Sequence, residues 1–189
     1  MANDELISEV RDLIAREVTT GFASEDEIRE QALELAAEEG EEPESELLDR
    51  IDDMLEKAMD DHARAQESWD GTTDCDRLDA AFRDLERSGV VARQNWTCCQ
   101  TCGLSEMRGE VHDHSRGYVF YHQQDTEAAL ETGTLYLAYG ACSDDREEQL
   151  AVAREIASTL ARHGLKVEWS GSLERRILVN GISWRRRRA

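Results

Sequence analysis

Proline and long apolar runs are scarce in this chain of 189 residues, and each scarcity excludes a class of protein. The one proline, Pro43, lies in the acidic stretch EEGEEPES, where it ends the preceding helix and marks a loop. The longest apolar stretch, LYLAYGA at 135–141, is too short to span a bilayer. The chain begins MANDELISEV, whereas a secretory signal has a basic and then an apolar run. We therefore expect a cytoplasmic protein without a membrane-spanning segment.

Basic residues are also scarce, and the resulting acidic excess lies in one half of the chain. Residues 1–89 contain 29 acidic and 9 basic residues, a net charge of −20, whereas residues 90–189 contain 13 of each. An acidic surface repels nucleic acid and anionic membranes, so we expect neither as a partner. The acidic helices could instead bind a protein with a basic surface. The basic run RRRR at 185–188 either docks on the acidic half or is a solvated tail.

The order of apolar patterns predicts the fold class. Three amphipathic helices are expected over 5–18, 24–39 and 44–68, with a capping box between Ser24 and Glu27. Helices and strands then alternate, with strands at 90–96, 117–122, 134–140, 166–169, 175–179 and, after an Asn-Gly turn, 182–184. We therefore predict an α+β or α/β protein with a mixed sheet of about five strands and flanking helices. Residues 1–70 form an acidic helical N-terminal segment, and residues 71–189 form the α/β domain.

Three strand-to-helix junctions of this domain carry polar and thiol side chains. They span residues 97–102, 122–125 and 139–145. In open α/β sheets, ligands bind at the carboxyl ends of parallel strands, so these junctions are the candidate sites. Loops are polar for other reasons too, which leaves a purely structural explanation open.

Three of the five cysteines fall within five positions, in the segment NWTCCQTCG. We expect a capping box between Thr97 and Gln100, which makes Cys98 the first helical residue. At about 100° per residue, Cys98, Cys99 and Cys102 then share an arc of about 100°. The opposite side of the helix is apolar: Leu104, Met107 and Val111. The sequence therefore predicts a cluster of thiols on one face, away from the face that anchors the helix.

A bound zinc ion is the leading interpretation of this cluster. Zinc prefers thiolate and imidazole ligands in a tetrahedral array, so Cys98, Cys99 and Cys102 require one further ligand. The sequence offers four candidates for it: His112, His114, His122 and Cys142. On this hypothesis the protein is a non-catalytic or accessory module that holds a metal.

Thiol chemistry is the alternative interpretation. A C-x-x-C at a helix N-terminus lowers a cysteine pKa, so Cys99 or Cys102 would act in a redox protein or an enzyme. His122 would serve as its base, oriented by Asp125. Thioredoxin-like proteins have a cis-proline opposite the active site, and this chain has no counterpart. In a third interpretation the chain is an acidic interaction module with no site, and its cysteines are small core residues.

Several segments together resemble a bacterial family known only as a domain of unknown function. They are TDCDRLDAAF, GVVARQNWTCCQTCG, GYVFYHQQDTE, LYLAYGA and GLKVEWSGSLERRILVNGISWRRRR. The resemblance covers the chain well from about residue 72 to the C-terminus and the first helices more loosely. Its most specific motif is WTCCQTCG. The resemblance implies no activity, cofactor or catalytic residue.

Overall fold

The first helices follow the apolar spacing of the sequence. The computed structural model describes residues 2–37 and 45–188, and it contains α1 (Ala2–Thr20), α2 (Glu25–Ala36) and α3 (Ser45–Glu67). The capping box predicted for α2 is confirmed, because the Ser24 hydroxyl accepts from Glu27 N–H while the Glu27 carboxylate accepts from Ser24 N–H. The loop predicted around Pro43 lies outside the described residues.

These helices and the C-terminal arginines form one of two compact units. The helical unit comprises Met1–Gly71 and Arg185–Ala189, and the sheet unit comprises Thr72–Trp184. Each helix of this unit contributes buried apolar residues, and the described acidic side chains are exposed apart from the half-buried Glu17. Its core contains Val10, Ile14, Val18, Ile28, Ala32, Ala36, Ile51 and Leu55.

The arginine tail packs on the helical unit, which is the docked arrangement that the charge distribution favours. The Arg186 guanidinium lies 4.1 Å from the centroid of the Phe22 ring, and Arg186 is 9% exposed. Arg188 donates to the carbonyl oxygens of Val18 and Ala23 at 3.4 and 2.5 Å. Val18 lies in the last turn of α1, where unpaired carbonyl oxygens carry partial negative charge. The tail therefore caps α1.

The sheet unit contains the predicted mixed sheet of five strands. Its elements are α4 (Asp74–Arg87), β1 (Val90–Arg93), α5 (Gln100–Glu110), β2 (Gly117–Phe120), α6 (Gln123–Thr132), β3 (Thr134–Ala141), α7 (Arg146–Arg162), β4 (Val167–Glu168) and β5 (Ile177–Asn180). The strand order is β1-β2-β3-β5-β4. β1 and β2 are parallel, and the other neighbours are antiparallel. The predicted mixed α+β fold is confirmed.

The two faces of the sheet are covered unequally. Because side chains alternate along a strand, Val119 and Leu137 point to one face and Phe120 to the other. Val119 and Leu137 are fully buried on the face where α4 and α7 pack. Phe120 is buried by Met107 of α5 on the opposite face. On that face, further along β3, Tyr136 is 43% exposed.

The strand pairing is parallel in part. The alternation of strands and helices indicates units that are at least partly parallel, and β1 and β2 form such a pair, whereas β2 and β3 are antiparallel. One predicted strand is wrong. Residues 182–184 do not form a strand, and the Ile182 N–H donates to the Gly133 carbonyl at 2.9 Å instead.

None of the described helices combines the length and the apolar character needed to cross a bilayer.

Candidate metal centre

The segment with the three cysteines connects β1 to α5, and its backbone departs from the prediction. α5 begins at Gln100, and Cys99 is its N-cap, in an extended conformation. Thr97 does not cap the helix, because its φ of 59° is left-handed and its hydroxyl donates to the Cys99 carbonyl at 3.2 Å. The predicted capping box of Thr97 and Gln100 is therefore wrong, and Cys98 precedes the helix.

Hydrogen bonds from α6 hold two unusual backbone positions of this loop. A β-branched residue such as Thr97 rarely adopts a positive φ, and the conformation is costly. Gln123 N–H donates to the Thr97 carbonyl at 3.1 Å. Asn95 also has a positive φ, 51°, and its side-chain oxygen accepts from the Thr126 hydroxyl at 2.7 Å. The first turn of α6 therefore stabilises the loop in a strained shape.

The loop brings three sulfurs together. The Sγ atoms of Cys98, Cys99 and Cys102 all lie within 4.8 Å of one another. In a tetrahedral site with Zn–S distances of about 2.3 Å, neighbouring sulfurs are about 3.8 Å apart, so closure needs movements below about 1 Å. Cys98 is exposed and the other two are half-buried. Across residues 2–37 and 45–188, these are the side chains that meet as a group of three potential metal ligands.

The three thiols influence one another's ionisation. The N–H of Cys102 in the first turn of α5, followed by the Cys102 and Cys98 thiols, lowers the pKa of Cys99. The Cys98 and Cys99 thiols raise the pKa of Cys102 to about 11. The helix N-terminus therefore favours one thiolate, and that charge opposes the next.

A glycine lets α5 approach the sheet closely. A Cβ atom on Gly103 would lie 2.5 Å from Cε2 of Phe120, far inside contact distance. Met107, one turn further along α5, is buried in the same cluster as Phe120. The first turn of α5 is therefore held tightly against β2, and this contact positions Cys102 relative to the loop.

His122 and Asp125 form a buried pair at the start of α6. The Asp125 N–H donates to Nδ1 of His122 at 3.2 Å, and Oδ2 of Asp125 lies 3.0 Å from Nε2. Arg176 contacts the same carboxylate oxygen and also donates to the Tyr136 carbonyl at 2.6 Å. Burial lowers the pKa of His122. His122 therefore caps α6, and both of its ring nitrogens lie close to Asp125.

The other candidate ligands are not brought into the sulfur cluster. His112 and His114 are exposed and follow the far end of α5, whose 11 residues span about 16 Å. Cys142 follows β3, which runs antiparallel to β2, and its N–H donates to the carbonyl of Arg116 just before β2 begins. Cys142 therefore lies beside the first residues of β2. His122 follows the last residues of β2, at the opposite edge of the sheet along the strand direction.

Two functional features were missed from the sequence. His122 and Asp125 form a capping box. The sequence pattern that could have predicted it is a hydrogen-bond acceptor followed three residues later by an acid. Trp96 has a buried indole N–H for which the described residues provide no acceptor. The sequence shows that Trp96 lies two residues before Cys98, but it does not predict that the indole is buried, because burial depends on how α5 packs.

Comparison with known proteins was informative at the family level. No curated protein and no solved structure matches this chain. A family described as a domain of unknown function, DUF6891, matches residues 3–188. The match includes the first helices as well as the sheet unit, and so extends further than the segments that carried the resemblance in the sequence. The chain therefore belongs to the DUF6891 family.

Proposed function

We propose that the protein is an accessory, non-catalytic module that binds one zinc ion through Cys98, Cys99 and Cys102. The observation that carries this proposal is the approach of the three sulfurs to within 4.8 Å of one another. Thiolates are soft ligands that select zinc, copper(I) or iron–sulfur clusters over hard cations. Zinc suits three thiolates because it accepts a tetrahedral sulfur site without redox chemistry.

The opposed ionisation of the thiols supports a cation at this position. Cys99 is favoured as a thiolate, while Cys102 is held protonated by its neighbours. A divalent ion among the sulfurs would remove this repulsion and lower the pKa of each ligand, as metal coordination does for thiols in general. The strained loop at Thr97 supports the same reading, because strain is retained at sites where geometry matters.

The fourth zinc ligand is an exchangeable molecule in this proposal. Within the described ranges, no fourth His, Cys, Asp or Glu joins the three sulfurs. Cys98 is exposed, so water or another small ligand reaches the cluster directly. Structural zinc sites have four protein ligands, and zinc enzymes have three with water at the open position. The proposed site has the open position of the second class, but here the position exchanges a small ligand without catalysis.

Metal analysis of the full-length chain tests the proposal. Protein purified without chelator is expected to contain about one zinc per chain. Cys102→Ser should lose this zinc, whereas Cys142→Ser, which removes a cysteine at the opposite edge of the sheet, should retain it. Loss of zinc from both variants, or its retention in Cys102→Ser, would contradict the assignment.

The same preparation separates zinc binding from thiol chemistry. Metal-free protein whose Cys99 reacts with iodoacetamide much faster than Cys142 below pH 7 would favour a redox or nucleophilic role. On the zinc hypothesis, Cys99 instead becomes reactive only after the metal is removed with a chelator. The labelling rate of Cys99 before and after chelation therefore distinguishes the two hypotheses.

A further inference from the structure

A cavity lies beside α5, on the side of the helix away from the cysteines. It is a cavity of about 500 Å³ between α5 and the less covered face of the sheet. Its apolar lining comes from Leu104, Met107, Val111 and Ala141. Cavities that bind small molecules fall mostly between about 300 and 1,000 Å³ and are lined mainly by apolar side chains. The cavity therefore has the size and the lining of a ligand site.

Three polar side chains converge on this cavity: Arg108, Tyr118 and Cys142. In the part of the chain that the structure describes, none of them makes a side-chain hydrogen bond or an ion pair. Burial raises the pKa of Tyr118, so its hydroxyl keeps its proton at neutral pH and can donate a hydrogen bond. Convergent polar groups without protein partners are the expected means of orienting a ligand.

The apolar wall of the cavity is exposed to an unusual degree. Leu104 is 38% exposed and lies on a helix otherwise anchored by buried Met107. Tyr136, the other exposed large apolar residue of the described sheet unit, lies on the same face of the sheet as Tyr118. The two exposed residues and the cavity thus share the face that α5 leaves partly open. An apolar surface of this kind is stabilised when a ligand covers it.

We propose that this cavity binds a small carboxylic acid with an apolar body. The planar guanidinium of Arg108 matches a carboxylate and would hold it with two hydrogen bonds, while the apolar wall takes the rest of the molecule. The Tyr118 hydroxyl is a second donor. An ordinary thiol is mostly protonated at neutral pH, and partial desolvation raises the pKa of Cys142 further, so this side chain does not repel an anion.

The site is independent of the proposed zinc centre. Leu104 and Arg108 lie about 200° and 240° around the helix from Cys102, on its other flank. Arg108 is also six residues further along, which is about 9 Å of helix. Removal of the metal ligand Cys102 should therefore leave the acid-binding cavity in place.

The test uses the full-length, ¹⁵N-labelled protein and the probe 1-naphthoate. Saturable shifts are expected for the amides of Arg108, Val111 and Ala141. Arg108→Gln should weaken binding about tenfold, because a charge-assisted hydrogen bond is lost, and uncharged 1-naphthamide should bind the wild-type protein more weakly by a similar factor. Arg154→Gln, an exposed arginine on α7, is the matched control and should bind normally.

Three outcomes would overturn the inference. The first is the absence of saturable shifts at these amides in the wild-type protein. The second is equal affinity for naphthoate and naphthamide, or equal loss in Arg108→Gln and Arg154→Gln. The third is loss of naphthoate binding in Cys102→Ser, which would make the cavity part of the zinc centre. Normal binding by metal-free Cys102→Ser supports the cavity whatever the metal analysis shows.

Discussion

The helical unit and the sheet unit use polar residues in different ways. The described acidic residues of the helical unit lie mostly on exposed helix faces, where they meet water. The sheet unit buries His122, Asp125 and Thr126 at one edge of the sheet, next to the cysteine loop. Charge in the first unit therefore sets the long-range field of the protein. Polar groups in the second unit are brought to fixed positions, and fixed positions are what a binding site requires.

Zinc should stabilise only the sheet unit, and this is the largest effect that we expect. A ligand present at about 1,000 times its Kd stabilises a folded unit by about 4 kcal/mol. Chelation should therefore speed amide hydrogen exchange in α5, β1 and β2 and leave α1 unchanged. Cys102→Ser serves as the control and should show no response to zinc. An equal response of α1 would remove the distinction between the units.

Gly103→Ala should disrupt the sheet unit where the cysteine loop meets β2. The new methyl group would lie 2.5 Å from the Phe120 ring, and overpacking of this kind costs about 1–3 kcal/mol. Gly109→Ala on the same helix meets no atom within 4 Å and should be neutral or stabilising by up to about 1 kcal/mol. Urea unfolding of both variants compares them directly. Equal stabilities would show that α5 is free to move away from the sheet.

Removal of the arginine tail should weaken only the helical unit. Deletion after Trp184 removes the buried Arg186 from Phe22 and the Arg188 cap from α1, and we expect a loss of about 2 kcal/mol. Arg185→Ala, at an exposed position of the same tail, should change stability by less than about 0.5 kcal/mol. Hydrogen exchange in α1 provides the measurement. Unchanged exchange in α1 after the deletion would show that the docked tail does not contribute to stability.

Mild acid should produce the smallest effect, again in the helical unit. Burial lowers the pKa of His62, whose Nε2 lies 3.1 Å from the Arg186 carbonyl oxygen. The unfolded chain then binds more protons than the folded one, so stability is present above the unfolded pKa of about 6.5 and falls as the pH decreases. His62→Gln keeps a donor for the carbonyl and cannot titrate. Its unfolding free energy should fall less between pH 7 and pH 5 than that of the wild type, and an identical slope would exclude His62 as a cause.

The predictions from the sequence agree best with the structure where a single local signal determines the backbone conformation. Ser24 and Glu27 formed the expected cap because both partners lie within one turn. Thr97 carried the same kind of signal, and there the prediction failed. Hydrogen bonds from α6, which is distant in sequence, hold Thr97 in a left-handed conformation that no local preference favours. Long-range contacts therefore outweighed local propensity at the candidate site itself.

The sulfur cluster shows how a prediction can be right for an incomplete reason. The helical wheel placed Cys98 on α5, but the residue lies in the preceding loop. The three sulfurs still meet, because the loop bends at residues 97–99, directly before the first residue of the helix. The spacing of the thiols along the chain predicted the cluster, whereas the geometry of the cluster depends on the conformation of the loop.

The amino-acid sequence alone determined the periodic helices, the mixed sheet, the acidic charge of the first half and the closeness of three thiols, because each follows from patterns along the chain. Tertiary structure decided that β2 and β3 are antiparallel, that Cys142 is at the other edge of the sheet, and that His122 caps a helix. It also decided where α5 leaves a cavity open. These features depend on pairing and packing between distant segments, which the order of residues does not display.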